Sequence, residues 1–156
     1  MTWLDLTAVP LLAKICLVSM FPLSAYDKVV HWGEAMDQAK SGPLPFPALL
    51  LISGIAVEAV TPALIVIGLW DRAAAFVLAG FCLITAMMYH QFWRFPHFWS
   101  QNDKGRAHLW DFFKNFGLVG GLLLVVIGGN YAPVSQVAAH PLSNGPTSAP
   151  SILDHR

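Results

Sequence analysis

The sequence predicts an all-α integral membrane protein: a four-helix bundle with up-down-up-down topology, an interfacial segment and a disordered C-terminal tail. Hydrophobic residues make up 56% of the 156 residues and charged residues only 12%, whereas soluble domains carry about 25% charged residues. Four apolar segments are each long enough to cross a hydrocarbon layer of ~30 Å at ~1.5 Å rise per residue. The helical domain is assigned to residues 1–130, and residues 131–156, rich in Pro, Ser and Ala, form the predicted tail. The apolar segments make the lipid bilayer the expected partner. The net charge is zero, so nothing indicates binding to nucleic acid.

Apolar runs between short polar or proline-rich connections define the four spans. They cover about residues 8–25, 49–69, 73–90 and 111–127. The first span carries Lys14, and Pro22 is expected to kink its last turn because proline has no N–H to donate. Asp71 and Arg72 form a very short turn, so the second and third spans lie antiparallel. Four spans place both chain ends on one side, called here the terminal side, and the two longer connections on the other, the loop side.

The two longer connections are predicted to lie at the membrane interface. Residues 29–39 are expected to form a short amphipathic helix, with Val30, Trp32 and Met36 facing the lipid. Residues 91–110 are rich in aromatic and ionisable side chains, a composition typical of the headgroup level.

Glu58 lies at the middle of the second span. An ionisable group at that depth costs about 2.5–3.5 kcal/mol on insertion scales, and such groups mark functional sites. Pro62, four residues later, removes the helical hydrogen-bond donor for the carbonyl of Glu58. A carboxyl group and a freed carbonyl are therefore expected together at mid-membrane.

Lys14 is the residue predicted to pair with Glu58. Counted along antiparallel helices, their depths differ by about 7–8 Å, a gap that a flexible lysine largely bridges. The alternative is that Lys14 extends to the interface while Glu58 hydrogen-bonds to a neighbouring helix. The spacing of the residues leaves both alternatives open.

Most of the other ionisable residues gather on the loop side. They are Tyr26, Asp27, Lys28, His31, His90, His97, His108, Asp111, Lys114 and Asn115. One interpretation is a polar vestibule that binds a quinone headgroup or relays protons; the other is an interfacial belt that contacts lipid headgroups. A metal or haem site at His90, His97 and His108 is disfavoured because no ligand motif such as H-E-x-x-H occurs. The single Cys16 and Cys82, without a C-x-x-C motif, are interpreted as buried structural thiols.

Residues 53–93 resemble the core of the DoxX family of small four-helix membrane proteins. That family has a glycine and then a glutamate in its second helix, a glycine at its end, an arginine opening the third helix and a histidine closing it. The matching residues in this sequence are Gly54, Glu58, Gly68, Arg72 and His90.

The resemblance extends over roughly residues 11–128. Lys14 and Lys28 resemble the two basic residues of the family's first helix, although the family usually has arginine where Lys14 stands. Residues 112–124 are similar to the fourth helix, with Lys114, Asn115 and the pair Gly120–Gly121. The interfacial stretch 91–110 is less typical of the family.

The resemblance implies a broad role. Founding members of the family look like the membrane subunit of a thiosulfate:quinone oxidoreductase, and others are associated with oxidative-stress complexes. We therefore expect a subunit of an oxidoreductase system in the bacterial inner membrane, acting near the quinone pool with a soluble redox subunit. Whether the chain is itself an enzyme is left open; at most it is one subunit of a quinone-linked oxidoreductase.

The predicted site combines the resemblance with the depth of Glu58. Glu58 and His90 are predicted to be catalytic, by hydrogen-bonding a quinone or carrying its proton. The predicted quinone-binding residues are Lys14, Lys28, Glu58, His90, Asp111 and Asn115, and no metal ligands are assigned. Two other functions stay open: a non-catalytic scaffold or assembly factor, in which Glu58 and Lys14 only fix helix packing, and a small-solute transporter that works as a homo-oligomer.

Overall fold

Helices make up the regular structure of the described part of the chain, residues 8–100 and 103–127 of the computed structural model. In chain order they are α1 (Val9–Val18), α2 (Met20–Val30), α3 (Trp32–Ser41), α4 (Pro47–Ile67), α5 (Asp71–Tyr89) and α6 (Asp103–Ile127). Within these ranges four stretches are long and apolar enough to span a membrane: α1 with α2, α4, α5 and α6. The predicted all-α four-helix membrane fold is confirmed, and the predicted disordered tail, 131–156, lies outside the described residues.

The first span is a helix broken once. It runs from Val9 to Val30, five residues beyond the predicted end, so Lys28 lies within the helix. The break falls at Ser19, because Pro22 has no N–H for the carbonyl of the residue four positions earlier. The kink therefore lies nearer the middle of the span than predicted.

The spans pack in chain order, and the ring closes on the terminal side. α2 packs along α4, α4 along α5 and α5 along α6, while α1 returns to contact α6. Ile65, Leu78 and Leu122 are fully buried at the centre of the packed core. A Cβ atom at Gly121 would lie 2.7 Å from the side chain of Leu17, so this glycine permits the close approach of α1. In lipid, such close packing is a main source of helix association.

The connection after α2 forms the short helix α3, which packs against α4. Ala35 and Ala39 are buried against Leu51, and Met36 packs on the same cluster. The prediction that Met36 faces the lipid is therefore wrong, because the apolar face of α3 is turned to α4.

The second long connection is shorter than predicted, because α6 begins at Asp103 instead of residue 111. A short 3-10 turn at Phe92–Arg94 follows α5. A Cβ atom at Gly105 would lie 2.6 Å from Phe98 and 2.8 Å from Phe95. This glycine therefore lets the aromatic connection pack directly on the first turns of α6.

Candidate functional site

Glu58 is buried between α4 and α2 and is bound by Lys28. The Lys28 Nζ atom lies 2.6 Å from Oε1 and 2.5 Å from Oε2 of Glu58. The ammonium group also donates to the hydroxyl of Ser24 at 3.0 Å, and that hydroxyl donates to Glu58 at 3.3 Å. The Glu58 side chain is only 6% exposed and that of Lys28 24%. A buried carboxylate is thus stabilised by an opposite charge and a hydroxyl at mid-membrane.

Lys14, the predicted partner of Glu58, instead binds Asp71. Their side chains meet at 2.7 Å, at the turn between α4 and α5. Glu58 belongs to α4, whereas Asp71 is the first residue of α5. Lys28 therefore joins the first span to the second and Lys14 joins it to the third, and the predicted Lys14–Glu58 pair is wrong.

A cleft of about 670 Å³ opens above the Lys28–Glu58 pair. α2, α3, α4 and α5 supply most of its wall, and Asn115 of α6 also lines it. Of the predicted site residues, Lys28, Glu58, His90 and Asn115 line this cleft, whereas Lys14 and Asp111 do not. The assignment of Lys14 as a ligand-binding residue therefore has no support from its position.

The α5 wall of the cleft contains residues that the sequence analysis did not select. Cys82, Thr85 and Tyr89 line the cleft and recur with a spacing of three and four residues, which places them on one helix face. Cys82 is buried, as predicted, whereas Cys16 is exposed on the outer surface of α1, so its interpretation as a buried thiol is wrong. The spacing of these three residues was the sequence signal from which this face of α5 could have been predicted to line the site.

Two residues of α3 complete the polar wall. Glu34 and Gln38 are one helical turn apart and both line the cleft. Ser24 was also missed, although it precedes Lys28 by four residues and so shares its helix face. The sequence analysis passed over Ser24 and Gln38 because uncharged polar residues near a span boundary are common and carry little signal alone.

His90 connects the cleft to a second group of polar residues on α6. Its Nδ1 lies 4.0 Å from a carboxylate oxygen of Asp111, and its ring centroid is 5.9 Å from that of His108. Asp111 accepts a hydrogen bond from Lys114 at 3.0 Å, and its backbone carbonyl accepts one from the Asn115 amide at 2.9 Å. Asp111 thus supports the wall of the cleft through Asn115 without lining it.

His108 lies against the aromatic connection outside the cleft. Its ring stacks on Phe95 with centroids 5.1 Å apart. The Nδ1 atoms of His90 and His108 are both buried, and among the described residues neither has a hydrogen-bond partner. Within residues 8–100 and 103–127, no group of three His, Cys, Asp or Glu side chains is arranged to hold a metal ion.

The family model named DoxX matches residues 9–91. The chain belongs to the DoxX family. A relative, the inner membrane protein YphA of Escherichia coli (strain K12), is 27% identical over 119 residues, covering 76% of this chain and 81% of that protein. No solved structure matches the chain. Together with its four spanning helices, this membership makes the chain an integral protein of the bacterial inner membrane.

Proposed function

We propose that this DoxX-family protein is the membrane subunit of an oxidoreductase system and that its cleft binds the headgroup of a quinone. The observation that carries the proposal is the cleft above the buried Lys28–Glu58 pair. Its volume, about 670 Å³, lies within the range of roughly 300–1,000 Å³ that small-molecule sites occupy.

Lys28 and Glu58 offer complementary contacts to the two redox states of a quinone. Lys28 already directs its contacts to both oxygens of Glu58 and to Ser24. An ammonium group has three hydrogens to donate, so a quinone carbonyl would replace Ser24 as an acceptor. A quinol hydroxyl would instead donate to the carboxylate of Glu58. One ion pair can therefore bind both states.

The reaction needs an electron donor outside this chain. Reduction of a quinone to a quinol takes up two electrons and two protons, and we assign the electrons to a soluble subunit with a redox centre. His90 lines the cleft and lies near Asp111, which is partly exposed. These two residues would pass protons between the aqueous side and the quinone oxygens.

A scaffold role is the second candidate, and the presence of two ion pairs that anchor the first span favours it. Lys28–Glu58 joins the first span to the second, and Lys14–Asp71 joins it to the start of the third. In a scaffold, both pairs would serve only to align these spans, and an apolar pair of similar volume could replace either one. The two candidates therefore predict different results for the same variant.

The experiment uses the double variant Lys28→Met/Glu58→Leu, reconstituted in nanodiscs and titrated with decylubiquinone. The proposal predicts that the folded variant loses quinone binding, while the double variant Lys14→Met/Asp71→Leu retains it. Organic extraction of the native protein should release quinone that is missing from the Lys28/Glu58 variant. Full quinone binding by the Lys28/Glu58 variant would contradict the proposal and support the scaffold role.

A further inference from the structure

The cleft has an apolar arm as well as a polar centre. The arm is formed by Leu44, Leu50, Ile84 and Met88, and it is continuous with the cleft above Glu58. Leu50 comes from α4 and the other two helical residues from α5, while Leu44 belongs to the turn after α3. The arm therefore lies where α4 and α5 meet beneath the α3–α4 turn.

The arm reaches the lipid-facing surface. Ile84 is 58% exposed and Leu44 45% exposed, although both line the cleft. Ile84 is 13 residues after the start of α5, and Glu58 is nine before the end of α4, so their depths differ by about 6 Å. At Ile84 the arm thus opens to the lipid-facing surface about 6 Å from the depth of Glu58.

Gly54 and Phe81 lie between the arm and the polar centre, and both line the cleft. A Cβ atom at Gly54 would be in ordinary contact with the ring of Phe81, 3.4 Å away. At the other end, Met88 lies 3.3 Å from the position of a Cβ atom at Gly42. These contacts place the arm between two close approaches of neighbouring segments.

The charges of the cleft disfavour a water-soluble anion. Among the described residues that line it, Asp27, Glu34 and Glu58 are acidic, Lys28 is basic, and His31 and His90 are cationic only when protonated. That lysine is already bound to Glu58. A cleft with an excess of one sign of charge repels ligands of the same sign, so an oxyanion such as thiosulfate does not fit this site.

We infer that the cleft takes an uncharged amphiphile from the bilayer, with its headgroup at Lys28–Glu58 and its hydrocarbon tail in the arm. This inference rests on the proposed function, because it places the quinone headgroup at the same ion pair. It adds that the arm binds the hydrocarbon tail, that the ligand enters sideways from the bilayer, and that the cleft excludes oxyanions. The ligand reaches the ion pair through the lipid, and an anionic substrate of the oxidoreductase system is bound elsewhere.

The test compares two probes with one headgroup: ubiquinone-0, which has no tail, and decylubiquinone. Binding is measured on the full chain in nanodiscs, with affinity corrected for partition of each probe into protein-free nanodiscs. Ile84→Trp fills the arm and should weaken decylubiquinone binding by about tenfold or more, because several buried methylene groups lose their contacts. Binding of ubiquinone-0 should change less than twofold, and sodium thiosulfate in large excess should compete with neither probe.

Leu83→Trp is the matched control. Leu83 precedes Ile84, is also exposed to lipid and does not line the cleft, so this variant should bind decylubiquinone like the native protein. Equal binding of decylubiquinone by the Ile84 and Leu83 variants would overturn the inference, as would competition by thiosulfate.

A third probe, 4-decylphenol, separates this inference from the proposed function. It carries the same tail with a single hydroxyl and is not a quinone. Binding of 4-decylphenol that depends on Ile84, with no binding of either quinone, would support the amphiphile site and refute the quinone function. Quinone binding that is indifferent to the tail and to Ile84→Trp would leave the proposed function standing and overturn the inference.

Discussion

The two ion pairs both anchor the first span, one to the second span and the other to the start of the third, and their surroundings differ. Lys28–Glu58 lies at mid-membrane, with the glutamate side chain 6% exposed and facing a cleft. Lys14–Asp71 lies at the end of the helices, with the aspartate 31% exposed. The outer pair joins the ends of two spans, and under the proposed function the inner pair binds a ligand.

The largest expected difference between the pairs is in stability. Glu58→Ala leaves the ammonium of Lys28 unpaired in the bundle interior, and breaking a buried pair costs about 3–5 kcal/mol. We expect a loss of that order in the free energy of unfolding, measured by circular dichroism during titration from mild detergent into dodecyl sulfate. If Glu58→Ala lowers the free energy of unfolding by no more than Asp71→Ala does, the two pairs contribute equally to stability.

Reversal of the inner pair sharpens the comparison. Lys28→Glu/Glu58→Lys restores opposite charges across the same two helices, so it should recover most of the stability lost by either single change. Because position 58 on α4 then carries a positive charge in place of a carboxylate, quinone binding should be weaker than in the native protein. Stability comes from the same titration, and binding from nanodiscs. Failure of the double variant to fold better than both single variants would argue against a direct pair.

The packed end of the bundle offers a second comparison, between two glycines of α6. Gly121→Leu would collide with Leu17, which approaches to 2.7 Å of an added Cβ atom, and overpacking costs typically about 1–3 kcal/mol. Gly117 has no neighbour within 4 Å of an added Cβ atom, so Gly117→Leu should leave stability unchanged or slightly higher. Equal losses in both variants would show that both glycines lie in close helix contacts.

Asp71→Asn should have the smallest effect. The pair with Lys14 is partly exposed, and exposed ion pairs contribute about 0–1 kcal/mol. We expect a change of that size in the free energy of unfolding and no change in quinone binding. A loss comparable to that of Glu58→Ala would mean that the outer pair is energetically central.

The fold could be predicted because membrane spans are determined by length and composition. Four apolar runs, one short turn at Asp71 and two longer connections define the order of the bundle without knowledge of any contact. The position of Glu58 in the second span was predicted for the same reason. The segment that α3 forms was recognised from its amphipathic pattern, but which face of it packs on α4 was not.

The partner of Glu58 could not be predicted, because pairing depends on where the first span ends. Polar residues from Asp27 onward suggested an end at residue 25, although the helix continues to Val30. That error moved Lys28 into a connection and made Lys14 the nearest candidate. Extending the first span to residue 30 would have kept Lys28 within the helix as a second candidate partner for Glu58.

The most direct test of the account is the affinity for decylubiquinone of two isosteric variants, Glu58→Gln and Asp71→Asn, in nanodiscs. Each variant removes one negative charge from one ion pair and keeps the shape of the side chain. We predict that folded Glu58→Gln protein loses at least about 1.4 kcal/mol of binding free energy, a tenfold loss of affinity, whereas Asp71→Asn binds like the native protein. Equal affinities in the two variants would contradict the claim that the inner pair is a ligand site.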